Sequence, residues 1–329
     1  MSPPVIVAVA LALLFAFING FHDSANLVAT AISSRAVTPR WAFGLAALAV
    51  LAGPFLFGTA VATTVGAEVV SPLAIRSAVI VAALLSAIIW NLATWFLGIP
   101  SSTSHALIGG ILGAAVMENG WSVVQMAGLT KVAIALFLSP LVGLTGGFLL
   151  MKVVLFLVRG ASPGVNALFR RLQVLAVIGL SLGHGTNDAQ KAIGVITLGL
   201  VAGGMLPEFQ VPLWAIAVGA IALALGVALG GWRIIHTVGG KFFKVRPVHG
   251  FAAQTTAMGV LLAATLWGGP VSTTQVVSTA IWGVGSAERI SKVRWGVAAD
   301  IAWAWILTIP VTMLLGALAG VPIRRVPGF

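Results

Sequence analysis

Long apolar runs separated by short basic or polar connections fill the chain, and several runs carry a polar interruption. Residues 4–34 are apolar over about 31 positions, more than the ~20 a straight membrane span needs. The surplus has a polar centre, Asn19-Gly20-Phe21-His22-Asp23, which predicts a half-helix, a break, and a second half-helix from about Ser24. Residues 41–65 read as a plain span. Residues 77–97 and 106–117 are apolar arms around Gly98-Ile99-Pro100-Ser101-Ser102-Thr103-Ser104-His105. Proline followed by Ser and Thr suits the first turn of a helix, whose backbone N–H groups lack intrahelical partners. That stretch is therefore predicted to be the tip of a re-entrant hairpin, with ordinary turn chemistry as the plainer alternative. Residues 129–158 form a long span containing Ser139-Pro140.

The plan then recurs. An apolar segment over 172–203 has a polar centre from Gly183 to Lys191. A span at 211–231 leads to a basic loop with Arg233, Lys241, Lys244 and Arg246. Arms at 250–267 and 276–287 flank Pro270-Val271-Ser272-Thr273-Thr274-Gln275, and a last span runs to about Gly320. Asp23 and Asp188 are 165 positions apart, while the two Pro-Ser/Thr motifs and the pair Pro140/Pro310 are each 170 apart. Three near-constant offsets indicate two homologous halves, 1–158 and 172–329, joined by a basic cytoplasmic linker, 159–171.

If both tips turn back, each half crosses the membrane three times, and an odd number inverts the second half relative to the first. With both termini outside, Arg35, Arg40, Lys152, Arg159, Arg170, Arg171, Arg233, Lys241, Lys244, Arg246, Arg289, Lys292 and Arg294 fall inside and only Arg76, Arg324 and Arg325 clearly outside, with Lys131 between, the asymmetry the positive-inside rule describes. The predicted fold class is an all-α polytopic protein of the cytoplasmic (inner) membrane. It has two inverted repeats, each with a broken helix and a re-entrant hairpin, an arrangement common among secondary transporters.

Composition agrees. The chain is 59% hydrophobic and 8% charged, with mean hydropathy +1.09, which excludes an ordinary soluble core. The net charge of +11 lies mostly between apolar runs, where it meets lipid headgroups rather than nucleic acid. Met-Ser-Pro-Pro puts no basic segment before the first apolar run, so that run is expected to be a span rather than a cleaved signal. Cysteine is absent, so no disulfide or thiolate site is expected.

Charges at bilayer depth are costly and mark function. The hairpin tips bring helix N-termini, whose partial positive charge suits an anion, and hydroxyls from Ser101, Ser102, Thr103, Ser104, Ser272, Thr273 and Thr274, which suit an oxyanion. Asn187, Gln190 and Lys191 complete the predicted substrate set, Lys191 with a formal charge three residues after Asp188. Asp23 and Asp188 are poor partners for a dianion, and with Asn26 they form the predicted coupling-cation set. They suit a coupled cation, either a hard cation such as sodium or a proton. N-capping is the bland role for each Asp. His22, His105 and His184 stand in unlike contexts without helical pairing, so neither a fixed metal nor a cofactor is expected. No nucleophile elbow accompanies the Ser, His and Asp residues, so no enzyme is expected.

At these motifs the sequence resembles the inorganic phosphate transporter (PiT) family, in its bacterial low-affinity phosphate permease type. Gly185-Thr186-Asn187-Asp188-Ala189-Gln190-Lys191 matches the family's second signature. Gly20-Phe21-His22-Asp23-Ser24-Ala25-Asn26 matches the first, with His22 where Asn is usual. The tips at 100–105 and 270–274 also match, with Gln275 where His is common. The resemblance covers about residues 4 to 320. It implies a symporter of inorganic phosphate, as the free anion or a metal–phosphate complex, coupled to protons in many bacterial members and to sodium in others, and often a homodimer. It also implies an alternative, since some members carry sulfate. An uncoupled anion channel is the reading from a different class; it would conduct without accumulating substrate.

Overall fold

A bilayer core offers backbone groups no water, so a long apolar run closes its hydrogen bonds internally as a helix. The computed structural model describes residues 1–72, 75–230 and 245–326; the basic positions Arg233, Lys241 and Lys244 lie outside the described residues. The helices are α1 (Pro3–Ser33), α2 (Pro39–Ala52), α3 (Ala60–Thr63), α4 (Ser77–Leu97), α5 (Thr103–Asn119), α6 (Met126–Leu157), α7 (Val165–His184), α8 (Gln190–Ala202), α9 (Leu213–Leu229), α10 (Pro247–Trp267), α11 (Thr273–Glu288) and α12 (Trp295–Ile323). The described residues form no sheet; Val70 and Val124 make one isolated bridge. Among the described residues, six helical segments are long and apolar enough to cross a membrane, or seven if one bent pair is a single span.

Three local expectations are corrected. The predicted break at 19–23 is absent, because α1 is continuous from Pro3 to Ser33. The second polar centre is not unwound either: α7 passes into α8 through a π-helical turn, Gly185–Ala189. The reason is packing. Gly20 abuts the Leu223 carbonyl of α9 and Gly185 abuts the Val50 carbonyl of α2, with no room for a Cβ at either. These glycines serve close helix approach rather than chain reversal. The third correction concerns 41–65, which is not a plain span. Pro39–Phe55 and Ala60–Glu68 are bent by 73°, at a Gly53-Pro54 pair followed by Gly58 in the left-handed region.

The hairpins take the predicted form. Each first arm, α4 or α10, stops at a left-handed glycine, Gly98 or Gly268, the common helix C-terminal device. Each second arm starts from a serine N-cap of identical geometry, φ −97° and ψ 110°. Ser102 accepts from the backbone N–H of His105, and Ser272 from that of Gln275. An Arg–Glu pair closes each base: Arg76 with Glu118 in the first hairpin and Arg246 with Glu288 in the second.

Contacts between elements establish the inversion. Val5 at the start of α1 lies against Gly203 just past α8, and Ser34 just past α1 donates to Gln173 of α7 at 2.8 Å. So α1 and α7–α8 run antiparallel. The base of the first hairpin reaches the α8 end of that pair, where Ile80 meets Gly199. The base of the second reaches the α7 end, where Gly250 meets Gln173. The hairpins therefore enter from opposite ends and meet tip to tip, Ser104 Oγ donating to the Val271 carbonyl at 2.9 Å. The repeats also interlock: α5 packs on α12 and α11 on α6, while α1 packs on α9 and α7 on α2.

Candidate functional site

Buried polar side chains form matching stripes on the two long helices. Asn19, His22, Asp23 and Asn26 lie at i, i+3, i+4 and i+7 of α1, one face of a helix. His184, Asn187, Asp188 and Lys191 repeat that spacing where α7 meets α8. All eight are buried. A helix can carry a polar stripe without unwinding when partners cover it, and the hairpin tips supply those partners.

Asp23 Oδ1 accepts from Thr274 Oγ1 at 2.9 Å and from Asn26 Nδ2 at 3.2 Å. Its Oδ2 accepts from Thr103 Oγ1 at 3.3 Å. One carboxylate of the first helix thus holds a hydroxyl from each hairpin. His22 Nδ1 lies 2.9 Å from Asp23 Oδ1, and Asn26 Nδ2 also donates to Thr274 Oγ1 at 2.9 Å. Asp188 Oδ1 accepts from Lys191 Nζ at 2.6 Å and from Asn19 Nδ2 at 3.5 Å. Its Oδ2 accepts from Thr273 Oγ1 at 2.6 Å and lies 3.0 Å from His184 Nδ1. Ligand atoms of Asp23, His184 and Asp188 all lie within 4.8 Å of one another, so both carboxylates belong to one site.

Lys191 joins both tips to this centre. Besides Asp188, its ammonium donates to Ser104 Oγ at 2.5 Å and to the Val271 carbonyl at 2.7 Å, which uses all three of its donors. Asp188 therefore has a fixed cation against it. Among the described residues, Asp23 has neither Lys nor Arg as a partner. The amide oxygens of Asn19 and Asn26 are buried without a donor.

The other predicted residues sort by position. Thr103, Ser104, Thr273 and Thr274 face the carboxylates and the lysine. Ser102 and Ser272 serve as N-caps, and Ser101 shares a 2.7 Å bond with Thr94, so these three shape the tips. Asn187 donates to Thr265 Oγ1 and the Gly269 carbonyl and accepts from the Val271 N–H, which fastens the second tip to the π turn. Gln190 points away from the carboxylates. It accepts from the N–H groups of Val61 and Ala62 and donates to the Gly58 carbonyl at 2.7 Å, holding the bend before α3. His105 and Gln275, equivalent in the two repeats, line a separate cavity of about 210 Å³ with Trp305.

Sequence reasoning missed Asn19 and Thr265 as members of this network. Asn19 had a signal, since it lies one turn before Asp23. Thr265 had none, because its role depends on a fold-over of the second hairpin.

Inverted repeats with two hairpin tips meeting over buried carboxylates define the class of membrane transport proteins. The comparisons narrow that class. The model of the phosphate transporter family matches residues 19–316, and the chain belongs to that family. A probable low-affinity inorganic phosphate transporter of Rhizobium meliloti (strain 1021) is 45% identical over 318 residues, covering 96% of this chain and 95% of that protein. Its namesake in Bacillus subtilis (strain 168) is 44% identical, covering 95% of each. A putative phosphate permease of Thermococcus kodakarensis is 30% identical, covering 96% of this chain and 97% of that one. A solved structure titled "The sodium-dependent phosphate transporter" superposes with TM-score 0.88 at 24% identity, over 98% of this chain and 99% of that one; this likeness supports the fold.

Proposed function

We propose that the protein imports inorganic phosphate across the cytoplasmic membrane together with a cation, by alternating access. The observation that carries this reading is the contrast between the two buried aspartates. Asp188 is neutralised by Lys191, whereas Asp23 meets hydroxyls, an amide and the His22 imidazole, with no Lys or Arg against it among the described residues. A buried carboxylate without a partner charge is strongly disfavoured, and a mobile cation supplies that charge. The oxygens gathered at Asp23, its own carboxylate, the hydroxyls of Thr103 and Thr274 and the spare amide oxygens of Asn19 and Asn26, suit sodium. The 2.9 Å contact between His22 and Asp23 favours a second reading, in which a proton held by this pair is the coupled ion.

The anion occupies the space between the tips in the same scheme. Lys191 contributes a full charge, and the N-termini of α5 and α11 each add a partial one of about +0.5. Ser104, Thr103, Thr273 and Thr274 provide hydroxyls. When the tips part, phosphate oxygens replace Ser104 Oγ and the Val271 carbonyl at the ammonium. Hydrogen phosphate also carries a proton to donate to a carboxylate. Sulfate carries none, and a site lined with two aspartates rejects an anion that cannot donate. Sulfate is thereby the weaker reading.

The test is uptake of labelled phosphate into proteoliposomes, with a sodium gradient or a pH gradient imposed separately and sulfate added as competitor. Sodium-driven accumulation indifferent to sulfate is expected. Accumulation driven only by the pH gradient moves the coupling to the His22–Asp23 proton. Uptake that merely equilibrates, under either gradient, defeats symport.

A further inference from the structure

A groove on the flank of the bundle runs between α6 and α11 and ends on a cluster of cations. Leu144, Phe148, Leu149, Gly283, Ile290 and Trp295 line it, apart from one Thr and one Ser, and it holds about 420 Å³. A second hollow of about 520 Å³ adjoins it, lined by Arg246, Glu288, Arg289, Ser291 and Lys292. The two are neighbours along the chain: Ile290 lines the groove, and Arg289 and Ser291 on either side of it line the hollow. Lys152 lies one turn beyond the groove residue Phe148 on α6, its ammonium 5.5 Å over that ring.

The hollow is lined by three cations and one carboxylate, and His249 also contacts that carboxylate at 2.8 Å. Arg246 and Lys292 both pair with Glu288, while Arg289 is exposed and has no ion-pair partner among the described residues. The repeat supplies an internal control. At the base of the first hairpin the Arg–Glu pair recurs as Arg76 and Glu118. However, Asn119, Ser122 and Pro322 stand where the offset of 170 would place Arg289, Lys292 and Lys152. Closing a hairpin base therefore does not require these extra cations.

We propose that the hollow binds the phosphate headgroup of an anionic phospholipid, with one acyl chain in the groove. A guanidinium presents a planar fork that matches phosphate. Basic pockets between membrane helices recognise anionic headgroups, and Trp295 stands at the junction, where indole rings favour the membrane interface. The apolar groove distinguishes this site from one for a free anion, which has no use for it.

The test is native mass spectrometry of the purified full-length chain, offered phosphatidylglycerol or phosphatidylcholine with the same acyl chains. Wild type retains phosphatidylglycerol in preference. Arg289→Gln with Lys152→Gln lowers that retention by about fivefold per cation removed, whereas Arg289→Lys, which keeps the charge but loses the fork, lowers it less than Arg289→Gln. Thr145→Trp, which fills the groove without changing charge, also lowers it. Glycerol phosphate in equal amount leaves the lipid in place. Equal retention of the two lipids by wild type overturns the proposal, as does unchanged retention in the double variant. Displacement by glycerol phosphate would instead define a free-anion site and overturn it equally.

Discussion

Asp23 and Asp188 occupy equivalent positions but do different electrostatic work, and that difference is testable residue by residue. Asp23→Asn removes the carboxylate that lacks a fixed counter-ion. It is expected to abolish accumulation against a gradient while leaving a folded, monodisperse protein; full accumulation by this variant in proteoliposomes would assign coupling elsewhere. Lys191→Met leaves Asp188 buried without its cation, which costs about 3–5 kcal/mol. The loss should appear as a lowered melting temperature in detergent, and the double variant Asp188→Asn with Lys191→Met should recover part of it. Equal destabilisation of single and double variants would show that the pair contributes no coupling energy. The three-residue spacing of Asp188 and Lys191 was legible in the sequence because helical neighbours are local. The partners of Asn187 and Gln190 were not, since Gly269 and Gly58 lie far along the chain and only packing brings them close.

At the level of elements, hairpins are specified more strongly than breaks. A left-handed glycine, a proline and a Ser N-cap are local signals, and both tips obey them. The broken helices were over-read, because a polar cluster in an apolar run has two solutions: the backbone opens, or neighbours cover a polar stripe. Here neighbours cover it, and glycine serves the approach. The bend before α3 had its signals too, in Gly53-Pro54 and Gly58, but they sit in an apolar run that hydropathy alone joins into one span. Close approach makes a further prediction at this scale. Gly283 of α11 leaves no room for a Cβ against the Leu144 carbonyl of α6. Gly283→Val should therefore cost about 1–3 kcal/mol through overpacking, read as a lowered melting temperature. A variant as stable as wild type would mean that α6 and α11 separate more freely than their packing implies.

Across the whole molecule, the contacts of Ser34 with Gln173, Gln173 with Gly250, and Glu288 with Arg246 and Lys292 gather basic helix ends on one face. If that face is cytoplasmic, both chain termini lie outside. The chain has no cysteine, so single cysteines report cleanly. Ser162→Cys, in the exposed connection before α7, should react with an impermeant thiol reagent only in inside-out vesicles, and Ser2→Cys only in intact cells. The opposite pattern would reverse the orientation. The exchange of partners between repeats has a further consequence, for biosynthesis. When α5 leaves the ribosome the face it turns to α12 has no partner, because α12 is made about 175 residues later. The polar hairpin tip beside it likewise waits for Lys191 and Val271. The newborn first half is thus a half-closed clasp in the membrane, dependent on a holding factor or on rapid synthesis until the second half arrives to shut it.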